Sequence, residues 1–423
     1  MRPENKMAKY KYFEERVFME QVCVVGLGYI GLPTASLLAN KGFEVYGIDC
    51  VKDIVDTINA GKIHIVEPGL DCFVKKAIEL GNLKAGLKPK EADVFIIAVP
   101  TPFKENKKPD LSYVENAAKE IAPYIKEGNL IVLESTSPVG TTEKIFQWIK
   151  EERNDLNMEN VFFAHCPERV LPGKIIEELS RNDRIIGGIN KKSTDLTVKF
   201  YRRFVEGGLL TTDARTAELS KLTENAFRDV NIAFANELSM ICDKLNINVW
   251  NLIELANRHP RVNILQPGPG VGGHCIAVDP WFIVDSAPKE ACLIATARKV
   301  NDQKTKYIIE KVLDAIRECN NPIIACLGLA FKPDIDDLRE SPAMKIVGDL
   351  AEIQDVKLLL VEPNIENMPA TLNKYRNLEF MNIDSAIKNA NIILLLVDHK
   401  EFKGLNPRIF LNKILIDTRG IFK

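Results

Sequence analysis

The stretch VCVVGLGYIGLPTASLLANKGFEVYGID, residues 22–49, decides the fold class. Its apolar start is typical of a buried strand, its glycines predict a turn, and the apolar spacing over 31–41 predicts an amphipathic helix before a second strand that ends at Asp49. Short apolar strands that alternate with helices predict a parallel sheet covered on both faces. Further strands are predicted at 94–100, 129–136, 161–166 and 184–188, with helices at 112–126 and 141–151.

The rest of the chain predicts a long helix and a second domain of the same class. No Pro or Gly occurs over 209–258, and apolar residues recur there at helical spacing, which predicts a helix over about 212–258. A helix of this length typically bridges two domains or forms a subunit interface. A glycine-rich loop over 266–275 follows. The remaining predicted elements are helices at 290–318 and near 341–352, and strands at 321–331, 356–363, 391–398 and 414–420.

We therefore expect an α/β protein with two doubly wound Rossmann-like domains joined by a long central helix. The expected boundaries are 20–211 for the first domain, 212–319 for the central helical region with the glycine-rich loop, and 320–423 for the second domain. Residues 1–20 are polar and without a clear period, which predicts a loose extension.

Composition excludes several classes of protein. The 423 residues carry 56 Lys+Arg against 58 Asp+Glu, a balance that argues against nucleic acid or an anionic membrane as a partner. The longest apolar runs, over 94–99 and 392–397, are far too short to span a membrane. Nine scattered cysteines and a charged start without a secretory signal predict reduced thiols in the cytoplasm. Without C-x-x-C or H-E-x-x-H, no dedicated metal site is expected.

A glycine turn provides the first functional motif. Gly26, Gly28 and Gly31 form G-x-G-x-x-G after a strand and at the start of a helix, and Asp49 follows at the end of the second strand. In this context, which includes Tyr29 and Ile30 in the turn, the motif predicts a dinucleotide-binding site. Asp49 would accept hydrogen bonds from the adenosine ribose and repel a 2′-phosphate, which favours NAD over NADP. The alternative is a set of turn glycines in a non-binding domain.

A cysteine in the glycine-rich loop is the second motif. Gly272 and Gly273 precede His274 and Cys275, and Asp279 follows four residues later. A thiol can capture an aldehyde, and beside a hydride acceptor it would allow oxidation to a thioester. A buried thiol beside a turn is the alternative interpretation, and His274 is more typical of a packing residue.

Three polar residues share one face of the long predicted helix. Lys221, Asn225 and Arg228 are spaced by four and three residues. An ammonium and an amide that point together would stabilise an oxyanion. A solvated helix face is the alternative.

At these motifs the sequence resembles the UDP-glucose/GDP-mannose dehydrogenase family over about 20–420. The wording of HPRVNI (259–264) and GHCIAVDPWF (273–282) is most similar to the branch that acts on UDP-N-acetyl-D-mannosamine, and Ala277-Val278 disfavours UDP-glucose as the substrate. The matching segments, in family order, are GLGYIGLP (26–33), VPTP (99–102), STSPVG (135–140), CPERVLPG (166–173), ELSKLTENAFRDVNIAFANE (218–237), GPGVGGHCIAVDP (268–280) and GLAFKPDIDDLRESPA (328–343).

The resemblance implies an NAD domain, a central helix that mediates homodimer formation, and a C-terminal domain for the sugar nucleotide. It implies a four-electron oxidation of the sugar C6 alcohol to a carboxylate with two NAD. Cys275 would carry the thioester, Lys221 and Asn225 would stabilise oxyanions, Asp279 would assist proton transfer through water, and Glu168 would serve thioester hydrolysis. NAD contacts are implied for Thr101, Thr136 and Arg339. Sugar-nucleotide contacts are implied for Arg169, Val170, Lys221, Asn225, Arg228, His259, Arg261, Gly272, Phe331 and Lys332.

Three alternatives remain beside this prediction. Oxidation of UDP-N-acetylglucosamine or UDP-glucose is the first, since one sequence does not separate these sugars. A non-catalytic sugar-nucleotide or dinucleotide binder is the second, although such a protein has no need of the Cys275 thiol. An epimerase or short-chain dehydrogenase is disfavoured, because the tyrosines at 113, 124 and 201 lack a lysine four residues on.

Overall fold

The structure, a computed structural model, describes residues 20–104, 107–170, 173–273 and 275–422. The predicted extension over 1–20 lies outside these residues except for Glu20, as does His274. The chain forms two compact units that divide between Leu222 and Thr223, inside a continuous helix. Among the helices of the described ranges, none combines the length and the apolar character needed to cross a membrane.

An eight-stranded sheet forms the framework of the first unit. Its strands are β1 (Gln21–Val25), β2 (Glu44–Ile48), β3 (Leu83–Gly86), β4 (Val94–Ile97), β5 (Leu130–Leu133), β6 (Phe162–His165), β7 (Arg184–Gly188) and β8 (Leu209–Asp213). They lie in the order β3-β2-β1-β4-β5-β6-β7-β8, and the first six strands of that order form the doubly wound arrangement typical of dinucleotide-binding domains.

The sheet departs from the predicted all-parallel arrangement at one place. Strands β6 and β7 pair antiparallel, whereas the other neighbours in this sheet pair parallel. A parallel connection would have to cross a face of the sheet. Because β7 runs the opposite way, the connection leaves the carboxyl end of β6 and enters β7 at the same edge of the sheet.

Helices cover both faces of this sheet, as predicted. They are α1 (Gly31–Asn40), α2 (Lys52–Asn59), α3 (Leu70–Glu79), α4 (Ser112–Ile121), α5 (Thr141–Glu152), α6 (Ile175–Arg181) and α7 (Lys191–Tyr201). Because side chains alternate along a strand, Val22 and Val24 of β1 pack in the core with α1 and α3, while Cys23 and Val25 pack in the core with α4 and α5. This alternation accounts for the unbroken apolar sequence of the strand.

The predicted helix over 212–258 is two helices. Residues 212 and 213 belong to β8, and α8 runs over Ala214–Leu245 before α9 begins at Val249–Ala256. Asn246 adopts a left-handed conformation with φ of 54°, which asparagine tolerates better than most residues. Asn248 then caps α9 by accepting a hydrogen bond from the backbone N–H of Asn251. Two asparagines therefore break the helix where neither Pro nor Gly occurs.

The second unit contains a five-stranded parallel sheet in the order β11-β10-β9-β12-β13. Its strands are β9 (Ile323–Leu327), β10 (Lys357–Val361), β11 (Leu378–Phe380), β12 (Ile392–Leu395) and β13 (Ile414–Asp417). Its further helices are α10 (Asp279–Ser286), α11 (Cys292–Arg317), α12 (Pro342–Ala351), α13 (Ile383–Asn389) and α14 (Lys400–Lys403). Short 3-10 turns lie at Ala122–Tyr124, Met158–Asn160, Ala370–Leu372 and Pro407–Phe410. The chain is thus an α/β protein with two doubly wound Rossmann-like domains joined by the long helix α8.

Candidate active site

The glycine turn between β1 and α1 has the geometry that a dinucleotide requires. Gly26 has φ of +90°, and a Cβ atom there would lie 2.6 Å from the carbonyl oxygen of Ala98. A Cβ atom on Gly31 would lie 1.8 Å from the carbonyl oxygen of Gly26, so both positions need glycine for close packing. A Cβ atom on Gly28 would meet no atom within 4 Å. The backbone at Gly28 therefore faces open space beside the helix N-terminus, where a pyrophosphate would bind.

Asp49 is held beside this turn by two backbone donors. Its Oδ2 accepts a hydrogen bond from the Leu27 N–H (3.1 Å), and its Oδ1 accepts one from the Val51 N–H (3.0 Å). The side chain is half-exposed, and each carboxylate oxygen has a second acceptor position. Asp49 is therefore fixed in orientation and able to accept a ribose hydroxyl. Tyr29 is exposed and Ile30 is half-buried in the same turn.

The loops after β4 and β5 are joined at the carboxyl edge of the sheet. The Thr101 hydroxyl donates to the carbonyl oxygen of Thr136 (2.5 Å), so the structure brings these two predicted NAD contacts together. A helix that the sequence analysis did not connect with them fixes the second loop. Glu218 of α8 accepts hydrogen bonds from the Gly140 N–H (2.6 Å) and the Thr142 N–H (2.8 Å). Burial, its largest influence, raises the pKa of Glu218.

Glu168 lies on the segment that returns along the sheet edge after β6. Its carboxylate forms a buried ion pair with Arg184, the first residue of β7, and its Oε1 accepts a hydrogen bond from the Arg169 N–H (2.6 Å). Arg169 also donates through Nη1 to the carbonyl oxygen of Asp183 (3.4 Å). Val170 packs against the core of the unit. Further along, Glu67 accepts from the N–H groups of Gly173 and Ile175, both at 2.8 Å, and so anchors the segment.

Lys221 lies on α8, one turn after Glu218. Burial, together with the charge of Lys221, lowers the pKa of His165 to about 3, although a backbone hydrogen bond to Leu133 opposes this shift. His165 is the last residue of β6, and Lys221 is half-buried.

The second unit holds Cys275 at the start of a helical turn. Cys275 is exposed, and its carbonyl oxygen accepts hydrogen bonds from the N–H groups of Val278 (3.0 Å) and Asp279 (2.9 Å). The Asn225 side chain donates through Nδ2 to Asp279 Oδ2 at 2.5 Å, and both residues are buried. Asn225 is therefore part of a buried pair and not of a solvated helix face. Arg228, one turn later on α8, is exposed.

The loop before Cys275 packs against the segment after β9. A Cβ atom on Gly272 would lie 2.4 Å from the carbonyl oxygen of Glu340, and one on Gly273 would lie 2.7 Å from the Phe331 ring. The Gly273 N–H donates to the carbonyl oxygen of Arg339 (3.2 Å). The two glycines thus allow the cysteine loop to lie directly on the segment that contains Phe331, Lys332 and Arg339.

Three predicted ligand residues lie on exposed surface of the second unit. His259 and Arg261 follow α9, where the Arg261 N–H donates to His259 Nδ1 (3.3 Å). Arg339 forms a bidentate contact with Asp337, with donor–acceptor distances of 2.7–3.1 Å. An NAD phosphate at Arg339 would therefore compete with Asp337 for the guanidinium.

Buried polar side chains of α8 and α11 support the start of the cysteine loop. Asn236 accepts a hydrogen bond from the Gly268 N–H (2.9 Å) and donates to Asn301 (2.9 Å). Thr305 donates to the carbonyl oxygen of Pro269 (3.1 Å). Sequence spacing does not reveal these supports, because Asn236 and Asn301 look like ordinary helix positions.

The second sheet has its own buried acid at the end of β10. Glu362 Oε2 accepts hydrogen bonds from the N–H groups of Leu329 (2.7 Å) and Ala330 (3.0 Å) and contacts His399 Nε2 at 3.0 Å. Burial alone would raise the pKa of Glu362, but these hydrogen bonds lower it to about 2.

A possible metal-ligand grouping lies beside Glu362 but offers no available imidazole nitrogen. Donor atoms of Asp334, His399 and Glu401 lie within 4.8 Å of one another. The Asp334 N–H already donates to His399 Nδ1 (2.9 Å), and His399 Nε2 faces Glu362. Both ring nitrogens of His399 are therefore engaged within the protein.

Comparisons with known proteins agree with this arrangement. The family models for the NAD-binding, central and UDP-binding domains of the UDP-glucose/GDP-mannose dehydrogenase family match residues 20–205, 215–303 and 325–423. A UDP-N-acetyl-D-mannosamine dehydrogenase from Campylobacter jejuni is 58% identical over 390 residues, covering 90% of this chain and 96% of the relative.

Two more proteins resemble almost the whole chain. An NDP-N-acetyl-D-galactosaminuronic acid dehydrogenase from Ralstonia nicotianae is 56% identical over 408 residues, covering 95% of this chain and 96% of the relative. A solved UDP-D-ManNAc dehydrogenase from Pyrococcus horikoshii is 39% identical, with a TM-score of 0.86 and coverage of 95% and 96% of the two chains. The chain therefore belongs to the UDP-glucose/GDP-mannose dehydrogenase family, and NAD is the cofactor of its N-terminal domain.

Proposed function

We propose that the protein oxidises the C6 alcohol of UDP-N-acetyl-D-mannosamine to a carboxylate through a thioester on Cys275. The observation that carries this proposal is the cysteine loop itself. An exposed Cys275 follows two glycines packed on Phe331 and precedes the buried Asn225–Asp279 pair. The names of the Campylobacter and Pyrococcus relatives support the choice of sugar. The Ralstonia relative makes NDP-N-acetyl-D-galactosaminuronic acid the rival product.

The reaction needs two hydride acceptors and one nucleophile. When bound, NAD would accept the hydride in both rounds, and the turn of Gly26, Gly28 and Gly31 would hold it with Asp49 available to its ribose. Thr101 and Thr136 meet at the adjoining loops and are proposed to contact the same cofactor. The Cys275 thiolate adds to the aldehyde from the first oxidation, and loss of hydride from that adduct leaves a thioester on Cys275.

Four further residues are proposed to manage charge and protons in this reaction. The Asn225 amide retains one N–H beyond its bond to Asp279, and with the Lys221 ammonium it would stabilise the oxyanion. The buried Asp279 would relay a proton through water, oriented by the Asn225 donor. Glu168 would accept a proton from the water that hydrolyses the thioester.

The sugar nucleotide has a dianionic pyrophosphate and needs cationic donors. We propose Arg169, Arg228, Arg261 and Lys332 for this role, with Val170, His259, Gly272 and Phe331 as further contacts, and Arg339 for the NAD phosphates. The proposed domain boundaries remain 20–211, 212–319 and 320–423.

We infer a homodimer from an apolar stripe on α8. Phe227, Phe234 and Ile241 recur every seven residues and are 66%, 52% and 46% exposed. Seven residues are nearly two helical turns, so these side chains share one face. Large exposed apolar side chains in a row typically mark an interaction surface, and a second copy of α8 is the proposed occupant. The cytoplasm is the proposed location, since it would keep the Cys275 thiol reduced.

A stoichiometric assay tests the proposed function. Purified protein would be incubated with UDP-N-acetylmannosamine, UDP-N-acetylgalactosamine, UDP-N-acetylglucosamine or UDP-glucose, and NADH would be counted per sugar consumed. Two NADH per UDP-N-acetylmannosamine, with the highest kcat/KM for that sugar, supports the proposal. One NADH per sugar would refute the thioester mechanism, and a preference for another sugar would refute the substrate assignment.

A further inference from the structure

A cluster of buried charges lies behind the segment that carries Glu168. Arg184 is 1% exposed, Glu168 is 6% exposed and Glu134 is 1% exposed. Glu134 follows β5, Glu168 follows β6, and Arg184 begins β7. The reversal of β7 brings its first residue to the carboxyl edge of the sheet, which is the edge where β5 and β6 end. The Arg184 guanidinium therefore pairs with Glu168 at this edge, and its charge also acts on the nearby Glu134 carboxyl group.

The contacts of Glu168 occupy both of its oxygen atoms. Oε2 pairs with Arg184 Nη1, and Oε1 accepts from the Arg169 N–H (2.6 Å). Arg184 is itself oriented by a second bond, from Nη2 to the carbonyl oxygen of Leu179 (3.0 Å). The carboxylate is thus held by a donor on each side, and each oxygen keeps a second acceptor position for water.

Stability alone does not account for this pair. The desolvation of two buried charges often cancels their attraction, and a well-packed apolar pair of similar size is frequently as stable. A buried ion pair is more useful where one partner must stay ionised and in one orientation. Glu168 is such a group if it takes a proton from water during hydrolysis.

When Glu134 is protonated, it does not compete with Glu168 for the Arg184 guanidinium. Its carboxyl group accepts hydrogen bonds from the Tyr201 hydroxyl (2.5 Å) and the Thr34 hydroxyl (3.3 Å). Burial and the charge of Glu168 raise the pKa of Glu134 to about 7, although Arg184, Tyr201 and Thr34 act in the opposite direction. When Glu134 holds its proton, the single positive charge of Arg184 balances Glu168.

We propose that Arg184 is a positioning residue that holds the Glu168 carboxylate for thioester hydrolysis. This inference rests on the proposed function, in which Glu168 accepts the proton of the attacking water. In that step the water oxygen bonds to the thioester carbon, the carbon–sulfur bond breaks, and the thiolate remains on Cys275. This step involves no oxidation or reduction. Arg184 does not touch the substrate, and it acts through the orientation and charge of Glu168.

The test separates hydrolysis from the two oxidations. Arg184→Gln, Arg184→Lys and Glu168→Gln would each be mixed with NAD and UDP-N-acetylmannosamine, quenched in acid, and weighed by intact-mass spectrometry. We expect Arg184→Gln and Glu168→Gln to release two NADH per Cys275 in a burst, to accumulate the acyl-enzyme, and to lose at least about 100-fold in kcat. Arg184→Lys, which keeps the charge, should recover part of the rate. Arg181→Gln, which removes an arginine from an exposed pair with Glu177, is the matched control and should behave like the wild type.

A double variant keeps the inference testable if Arg184→Gln folds poorly. Glu168→Gln/Arg184→Gln removes both buried charges, and its hydrolysis should be no slower than that of Glu168→Gln alone. An acyl-enzyme in Glu168→Gln without one in Arg184→Gln would overturn the inference and leave the proposed function standing. If Arg184→Gln shows no NADH burst and Arg184→Lys does not restore it, Arg184 has only a structural role and the inference is overturned. A wild type that makes no NADH from any of the sugars would overturn both.

Discussion

Asp49 and Glu362 occupy matching positions in the two domains. Each follows the second strand of its sheet, and each accepts a hydrogen bond from the N–H of the leucine after the first glycine, Leu27 at 3.1 Å and Leu329 at 2.7 Å. Asp49 is half-exposed beside an open turn, whereas Glu362 is buried and also engaged by His399. The same framework therefore leaves its acid partly accessible to solvent in one domain and buries it in contact with His399 in the other.

The first prediction concerns Glu362→Gln. Because its folded-state pKa is lowered to about 2, ionised Glu362 contributes stability above its ordinary pKa, and this contribution is lost as the pH falls towards 2. We expect Glu362→Gln to lower the free energy of unfolding by on the order of 2–3 kcal/mol at pH 7. The difference from the wild type should shrink towards pH 3. Thermal unfolding between pH 3 and 7 measures it. Glu379→Gln, at an exposed pair on β11, is the control, and equal losses in both variants would contradict the prediction.

Glu134 gives the opposite pH dependence. Its folded-state pKa is raised to about 7, so the stability it contributes is present below the ordinary pKa of a glutamate and is lost as the pH rises through 7. Glu134→Gln stays neutral and still offers an acceptor to Tyr201. Relative to the wild type, we expect the free energy of unfolding of the variant to rise by up to about 1.4 kcal/mol per pH unit between pH 5 and 7. Above that range the difference should stay constant. Parallel unfolding curves at pH 5, 6, 7 and 8 test the sign, and a constant difference would refute it.

Two glycine substitutions separate packing from cofactor binding. A Cβ atom at Gly31 clashes with the Gly26 carbonyl oxygen, so Gly31→Ala should lower both the unfolding temperature and the affinity for NAD. Gly28→Ala has room for its Cβ atom in the unliganded protein and should leave the unfolding temperature nearly unchanged. It should still weaken NAD binding by about 10-fold or more, because the methyl group occupies the space of the pyrophosphate. Calorimetric titration with NAD measures the affinities, and normal binding by Gly28→Ala would contradict the assignment of the turn.

Replacement of Cys275, the proposed nucleophile, gives the sharpest kinetic contrast. In Cys275→Ser the hydroxyl is a poorer nucleophile and the resulting ester a poorer acyl donor, so uronic acid formation should fall by several orders of magnitude. NAD affinity should be nearly unchanged, because the dinucleotide turn is untouched. Lys221→Ala should lower the rate of uronic acid formation by about 100-fold or more, because the oxyanion donor is missing. Cys72→Ser, at an exposed thiol, is the control. Normal four-electron turnover by Cys275→Ser would mean that the thiol is a packing residue.

The apolar stripe predicts a change of molecular mass. Phe234→Glu places a charge in the middle of the exposed row on α8 and should convert a dimer into the 47.5 kDa monomer. Light scattering after size-exclusion chromatography measures the mass. Lys244→Glu, on the exposed surface of the same helix, should keep the mass of the wild type. A monomeric wild type, or a Phe234→Glu variant that remains dimeric, would refute the proposed interface.

The sequence revealed the features that depend on neighbouring residues. The turn from Gly26 to Gly31 and the strand that ends at Asp49 follow from local spacing, and so do the buried strands of both sheets. Edge strands β3, β8 and β11 were not predicted. Strands β3 and β11 are short and carry charged residues such as Lys84 and Glu379, and β8 runs into the predicted long helix. The reversal of β7 was also not predicted, since strand direction depends on tertiary pairing.

Contacts between distant residues account for what was missed around the candidate site. Glu218 meets the loop of Gly140 across 78 positions, and Arg184 meets Glu168 although nothing in their spacing marks a pair. The break at Asn246 illustrates a second limit. Asparagine is an ordinary residue in a helical pattern, and only the backbone conformation reveals that it ends α8.

The antiparallel pairing of β6 and β7 frees the segment between them from a length requirement. A segment that joins parallel strands must be long enough to traverse a face of the sheet, so deletions there disrupt the fold. The connection from β6 to β7 leaves and enters the sheet at one edge, and Glu67 and Arg184 hold it at Gly173 and Glu168. A connection of this kind can therefore change in length without a change in the strand order.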